Sequence, residues 1–376
     1  MLEHPVSPIQ IFPGFSCHHT ISARILMQPH ILILSLLLCL LCCSVPAQAL
    51  EGPMDLDDIR FWAYQIQALT EPGAIDALAE SSYDMLVLEP TRTDWSSDDR
   101  YFDTEGAIER LKQTPASDGV HRKLLIAYID IGQAEDWRWY WTWSTDFTPG
   151  EPLPGDWPGY ILEVDPDGWE SNYVVKYWDP EWKDLVIWGV GEDPAQGRDW
   201  ESIIDEVILS GFDGIYLDWV EGFENDKVMA AAQADGVDPA EEMITFIAEM
   251  REYAQERNPD FLIIQQNAAA LLLGREHLVE YIDGIAQEHV FFDGIATDDW
   301  DEPQGYDTPT ESDQSREYVE YLHMYLDLGI PVFNAEYALE HADEAYERSL
   351  AEGFVPFCSR RSLGELSDTP PPNLPE

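Results

Sequence analysis

From residue 61 to residue 336 the chain is patterned as short apolar runs that end on a polar residue, alternating with longer stretches whose apolar positions recur every three to four residues. The runs cover residues 61–67, 84–89, 123–130, 173–178, 214–218, 261–266, 284–288 and 331–336. They are brief, rich in Val, Ile, Leu and aromatics, and mostly too continuous to leave one face wet, which is the pattern of parallel strands buried on both faces. The intervening periodicity predicts helices over 200–210, 240–257, 271–282, 315–328 and 342–351. Strand, helix, strand repeated at a near-regular spacing predicts an α/β fold. Eight such units fit a single-domain (β/α)8 TIM barrel better than a doubly wound sheet, since no Gly-x-Gly-x-x-Gly turn follows any strand. A ninth run at 354–358 leaves open which of the nine lies outside the barrel. On this count Asp218 ends the fifth strand.

The first 49 residues are of another kind. They hold one acid, Glu3, and one base, Arg24, followed by an apolar run from Ile31 to Cys43 that is too short to span a bilayer comfortably. Ser44-Val-Pro-Ala47-Gln-Ala49 then supplies a small-x-small cleavage pattern. A signal segment over 1–49, cleaved after Ala49, is expected, with a secreted or periplasmic product that keeps no membrane anchor. The domain is expected over 50–366, and 367–376, with three consecutive prolines from Pro370, as a flexible tail.

Charge and cysteine content narrow the chemistry. Four of the five cysteines fall within 1–49, leaving Cys358 alone, so an internal disulfide or a Cys-based zinc site is excluded downstream. The histidines after residue 49 (His121, His277, His289, His323, His341) form no His-x-His or His-Glu-x-x-His, which argues against a His-ligated catalytic metal; no cofactor is expected. With 73 acids against 20 bases the formal charge is −53. Self-repulsion on that scale favours a salty, halophilic setting that screens it. The same field repels nucleic acid and attracts polycations.

Strand ends carry the candidate site. In a parallel barrel the C-terminal strand ends converge on one face, so Gln65 and Gln67, Glu89, Asp130, Asp218, Gln266 with Asn267, Glu288 and Glu336 are brought together there. A rim of carboxylates and amides without metal ligands is the inventory of glycoside hydrolysis. There one carboxyl protonates the leaving oxygen while another attacks carbon or activates water. Asp218 and Glu288 stand two βα units apart, each on a run that starts Gly-Ile, and are expected to form the catalytic pair, with Asp218 as acid. Glu221 is expected at the loop or rim. Sugars also need aromatic faces. Asp136-Trp-Arg-Trp-Tyr-Trp-Thr-Trp143 follows the third run, with Trp137 its first ring, and Trp219, Trp300 and Tyr337 are further candidates; the alternative is that these rings pack as a lid. A non-catalytic polysaccharide-binding barrel is the rival from another class.

Three segments taken together, Tyr128 to Arg138, Val175 to Trp182 and Gly211 to Asp218, resemble glycoside hydrolase family 114, a TIM-barrel group whose relatives have been labelled cysteinyl-tRNA synthetase-related. The resemblance runs from about Phe61 to Arg361. It implies an endo-α-1,4-polygalactosaminidase-like activity on a cationic, galactosamine-containing polysaccharide, catalytic roles for Asp218 and Glu288, and substrate-cleft roles for Asp130, Glu135 and Glu336; a monomer is expected. Fungal members show Glu-Pro-Asp-Asn where this chain has Tyr216-Leu-Asp218-Trp219, so the wall of the site departs from theirs. No nucleotide-binding signature supports the synthetase label.

Overall fold

A computed structural model describes residues 49–375, apart from 91–94, 96, 97, 146, 149 and 170. The expected signal segment, residues 1–48 in particular, lies outside the described residues. Eight parallel strands form one sheet: Trp62–Gln65, Met85–Leu88, Leu124–Asp130, Gly214–Asp218, Leu262–Gln266, Gly284–Glu288, Val332–Tyr337 and Val355–Ser359, hydrogen-bonded in that order. The last strand returns to the first. Trp62 donates its indole N–H to the carbonyl of Val355 at 2.9 Å, and the backbone N–H of Ile66 reaches Leu363 O at 3.1 Å, so the sheet is a nearly closed barrel. Helices Ala74–Glu80, Thr104–Lys112, Ile203–Leu209, Pro239–Gln255, Ser312–Asp327 and Ala342–Glu352 lie between strands, as a TIM barrel requires.

The ninth run resolves the strand count. Residues 173–178 do not enter the barrel: Asn172–Val175 pairs antiparallel with Gln133–Glu135 and with Ile161–Val164 in a three-stranded side sheet. Val355–Ser359 is the eighth barrel strand. Asp218 therefore ends the fourth strand, not the fifth. The third βα connection carries the side sheet as an insertion, whose apolar positions match those of a barrel strand because both are buried. The helix expected over 271–282 is also absent. Gly274, at φ 71°, breaks the segment into two 3-10 turns, Ala269–Leu272 and Glu276–Glu280.

Large rings fill the barrel. Trp62, Tyr64, Tyr216, Phe333 and Phe357 are fully buried, with Tyr64 and Tyr216 centroids 5.1 Å apart and Trp62 and Phe357 5.7 Å apart. Strand packing demands glycine at Gly214, where a Cβ would come within 2.5 Å of the Leu262 carbonyl oxygen. Two points of the tail touch the barrel: Tyr346 Oη donates to Thr369 O at 2.6 Å, and Leu374 packs against the core.

Candidate active site

Four consecutive strand ends build the centre of the mouth. Asp130 and Asp218 are register partners on the third and fourth strands, and Gln266 and Glu288 end the fifth and sixth. Just beyond three of these ends the backbone turns left-handed at Trp219, Asn267, Ala268 and His289, at φ of 60°, 53°, 53° and 43°. Non-glycine residues in that region store local strain, which surrounding contacts must hold in place.

Those contacts are specific. Asp218 accepts a hydrogen bond from Tyr128 Oη at 2.6 Å and from the Trp219 backbone N–H at 2.7 Å. Glu288 accepts from Tyr337 Oη and, at 3.0 Å, from Asn267 Nδ2, while Asn267 Oδ1 accepts the Glu288 backbone N–H at 2.9 Å. Beneath them Tyr64, Tyr128, Tyr216 and Tyr337 form a buried phenol layer. Burial above all raises their pKa, so all four stay protonated; Tyr128 and Tyr337 donate to Asp218 and Glu288, and Tyr64 donates to Gln266 Oε1 at 3.4 Å.

The two carboxyls are pushed in opposite directions. Burial, and then the charge of Glu288, raises Asp218 to about 7, against the pull of its own hydrogen bonds. Burial also acts upward on Glu288, but Arg361, His289, Tyr337 and Asn267 outweigh it and hold this group below the ordinary glutamate value. Arg361 follows the eighth strand and was invisible as a site residue in the sequence. Its guanidinium lies 4.7 Å from the Tyr337 ring centroid and 3.5 Å from Asp293 Oδ1. His289 is itself held below its usual pKa by burial.

Glu221 is nearer the chemistry than its expected rim position. The left-handed Trp219 starts the 3-10 turn Val220–Glu224, and burial together with the charge of Asp218 raises Glu221 to about 8. Its Oε2 is buried without a hydrogen-bond partner. Asp130 shares this acid field. Burial, then Asp218 and Glu135, raises its pKa; Oδ1 accepts the N–H groups of Gly132 and Gln133 at 3.0 and 2.8 Å, while Oδ2 has no partner. A glycine at 132 is required because a Cβ there would lie 2.4 Å from the Trp219 carbonyl oxygen.

Other expected substrate residues are placed differently. Glu89 and Glu135 both grip Arg138: Nη1 and Nη2 bond the two oxygens of Glu89, the latter at 3.1 Å, and Nε bonds Glu135 at 2.6 Å. All three are buried, and the guanidinium covers the Trp137 ring at 4.0 Å. Trp219 is only 8% exposed, wedged against Gly132 and Gly222, so it packs rather than presents a face. Gln67 is half-buried past the first strand, its backbone N–H on Leu363 O at 3.3 Å. Tyr337 reaches Glu288, as described.

Glu336, in contrast, points away from the mouth. Side chains alternate along a strand, so the neighbour of inward-facing Tyr337 faces outward. Its Oε2 accepts the N–H groups of Phe291 and Phe292 at 2.9 and 2.8 Å, and Oε1 accepts from Asn334 at 2.7 Å. Glu336→Ala is expected to lower stability by about 2–3 kcal/mol by stranding buried donors, read as a lower denaturant midpoint at unchanged slope. Burial raises Glu336 to about 8. The folded chain therefore keeps a proton that the unfolded chain releases, and the contribution of this group to stability is full below the ordinary glutamate range and falls as pH climbs towards 8.

Among the described residues no three His, Cys, Asp or Glu side chains are grouped as metal ligands. The model of glycoside-hydrolase family GH114 matches residues 62–373. An uncharacterized protein of Methanocaldococcus jannaschii is 32% identical over 326 residues, 83% of this chain and 79% of that one. Another, from Deinococcus radiodurans, is 27% identical over 327 residues, 86% and 87% of the two chains. Among solved structures, the glycoside hydrolase domain of PelA from Pseudomonas aeruginosa superposes with a TM-score of 0.53 at 17% identity, covering 83% of this chain and 98% of that domain. Aspergillus fumigatus Ega3 in complex with galactosamine does so at 0.50 and 15%, covering 82% and 94%. The barrel is thus shared with these glycoside hydrolases, and the match over nearly all of residues 50–375 means that this chain belongs to glycoside-hydrolase family GH114.

Proposed function

We propose that this protein is an exported, salt-adapted glycosidase that cleaves an α-linked galactosamine-containing polysaccharide by a two-carboxyl mechanism. The observation that carries the mechanism is the opposed titration of two carboxyls on alternate strands of one barrel mouth. Asp218, protonated up to about pH 7, is poised to donate to the leaving glycosidic oxygen. Glu288, held ionised by Arg361, is poised to attack the anomeric carbon or to take a proton from an attacking water. After departure of the leaving group Asp218 is ionised and can in turn accept a proton from water. The excess of acids favours a cationic chain over a neutral or anionic one, and Ega3, which shares the barrel, was crystallised with galactosamine. Asp130 and Glu221, each with an unpartnered buried oxygen, would bind hydroxyl or ammonium groups of the sugar.

The test is incubation with partly deacetylated galactosamine polymer in high salt, with reducing ends measured and the anomer of the first-formed product followed by NMR. A retained anomer assigns Glu288 as nucleophile and an inverted one as base. Absence of cleavage of every amino-sugar polymer offered would defeat the substrate assignment. The pH dependence of kcat/KM is expected to be bell-shaped: activity is lost on the acid side as Glu288 gains a proton and on the basic side as Asp218 loses one near pH 7. Arg361 lowers both groups, so Arg361→Gln is expected to move both limbs to higher pH.

A further inference from the structure

The Trp-rich segment after the third strand also borders space away from Asp218 and Glu288. It encloses a separate cavity of about 550 Å³ that neither carboxyl lines. That volume is within the range of ordinary ligand pockets, about 300–1,000 Å³. The rings of this region fall into two groups. Trp139, Tyr140, Tyr160 and Trp182 are buried, and Tyr140 meets Trp139 and Trp182 edge to face, as core rings do, with Tyr140 and Trp182 centroids 5.9 Å apart. Trp95, Trp141 and Trp143 are only half-buried and line the cavity. Trp141 is fixed by stacking on Tyr173 at 5.1 Å, and Trp143 stands at 77° to it, 4.9 Å away. Two ring planes near a right angle, both braced from behind, give a rigid aromatic corner.

The rim is acidic. Glu181 and Asp184 are exposed and Asp193 is half-buried, and none of the three enters an ion pair among the described residues. One base, Arg198, also lines the cavity. Its guanidinium is turned into the wall, 4.2 Å from the Trp139 ring centroid, with Nη1 donating to Trp200 O at 2.7 Å. The field at the opening is therefore negative above an aromatic floor. Sugars offer C–H faces to rings, and a sugar amine offers a cation to carboxylates. The back of the cavity touches the catalytic face, because Tyr140 Oη accepts the Glu135 backbone N–H at 2.9 Å.

We propose that this cavity is a second carbohydrate site, which holds a stretch of cationic amino-sugar chain by ring stacking and ammonium–carboxylate pairing while another stretch occupies the barrel mouth. The sugar class rests on the substrate reading above, although the cavity itself does not. It is a binding site and takes no part in bond cleavage.

The experiment uses the full exported protein carrying Glu288→Gln, so that chains are not consumed, and titrates it calorimetrically with a galactosamine oligosaccharide and with its fully N-acetylated counterpart. Trp143→Ala in this background is expected to weaken binding of both chains about tenfold. Glu181→Gln with Asp184→Asn, both exposed and so without consequence for folding, is expected to weaken binding of the amino chain several-fold, to flatten its salt dependence, and to leave the acetylated chain unchanged. Equal affinity of all three proteins for the amino chain, or no binding by the parent, would overturn the proposal. Equal binding of the two chains by the parent would overturn its charge component. If binding depends on Trp143 but the wild-type protein releases no reducing ends, the cavity assignment stands and the hydrolase reading falls; cleavage with no effect of either variant gives the reverse.

Discussion

Asp218→Asn is expected to lower kcat/KM on a galactosamine polymer by about 10²- to 10⁴-fold, the usual size of a lost general acid, and Glu288→Gln by at least as much. Neither change should disturb the barrel, because each replacement is isosteric. The reasons differ at the two positions. In Asp218→Asn the amide oxygen can still accept from Tyr128 or from the Trp219 N–H, which bond different oxygens of the carboxyl, while its N–H₂ group faces the other donor, and the side chain has no proton to give near pH 7. Glu288→Gln removes the charge that Arg361 sustains and turns an N–H₂ group towards one of two donors, Tyr337 Oη or Asn267 Nδ2. Polymer digestion with thermal midpoints measured in parallel separates catalysis from folding. Full activity in either variant would remove that residue from the mechanism. A small added anion that restores turnover to Glu288→Gly would mark Glu288 as nucleophile, and failure of that rescue with an inverted product would mark it as base.

Arg138→Met is expected to destabilise the fold by about 3–5 kcal/mol, the usual effect of removing one partner from a buried charge network. Glu89 and Glu135 both face its guanidinium, and all three side chains are nearly inaccessible, at 3%, 6% and 7% exposed for Glu89, Glu135 and Arg138. Without the guanidinium Glu135 would lose the charge that offsets its burial. Burial already raises the pKa of Glu135, with Arg138 as the main force pulling it down, so loss of the guanidinium should leave Glu135 partly protonated in the folded state. The deficit should then shrink as pH falls into the carboxylate range, which a urea titration at several pH values would measure. A deficit independent of pH would mean that the loss comes from packing over Trp137 and not from charge. Activity should fall less than for Asp218 or Glu288, since Arg138 supports the mouth without touching the reacting pair.

Much of this site was legible in the chain because strand ends announce themselves. An apolar run closing on a carboxylate puts that carboxylate at the C-terminal face of any parallel barrel, and both Asp218 and Glu288 could be found this way. Parity was harder to read. Glu336 and Tyr337 end the same strand, yet only one of two successive side chains can face the interior, and Tyr337 does. Glu89 and Glu135 look like substrate ligands until Arg138 is seen folded back between them. Arg361 and Glu221 were missed in opposite ways: the first lies far along the chain, after the last strand, and the second was set aside as a rim acid although its turn carries it back beside Asp218.

The sequence by itself determined that apolar runs and amphipathic helices alternate, and hence a parallel α/β barrel with carboxyls gathered at one end. It also determined a strongly acidic chain whose 73 acids outnumber 20 bases. Such properties are local or additive, so no contact map is needed to read them. Only the tertiary structure decided that residues 172–175 leave the barrel for a side sheet and that residues 355–359 close it. It alone set Asp218 and Glu288 apart in proton affinity, and placed the tryptophans of 139–143 around a cavity that neither carboxyl lines. Burial, register and the sign of the nearest charge depend on residues hundreds of positions apart, and these quantities turn a row of similar acids into different chemical groups.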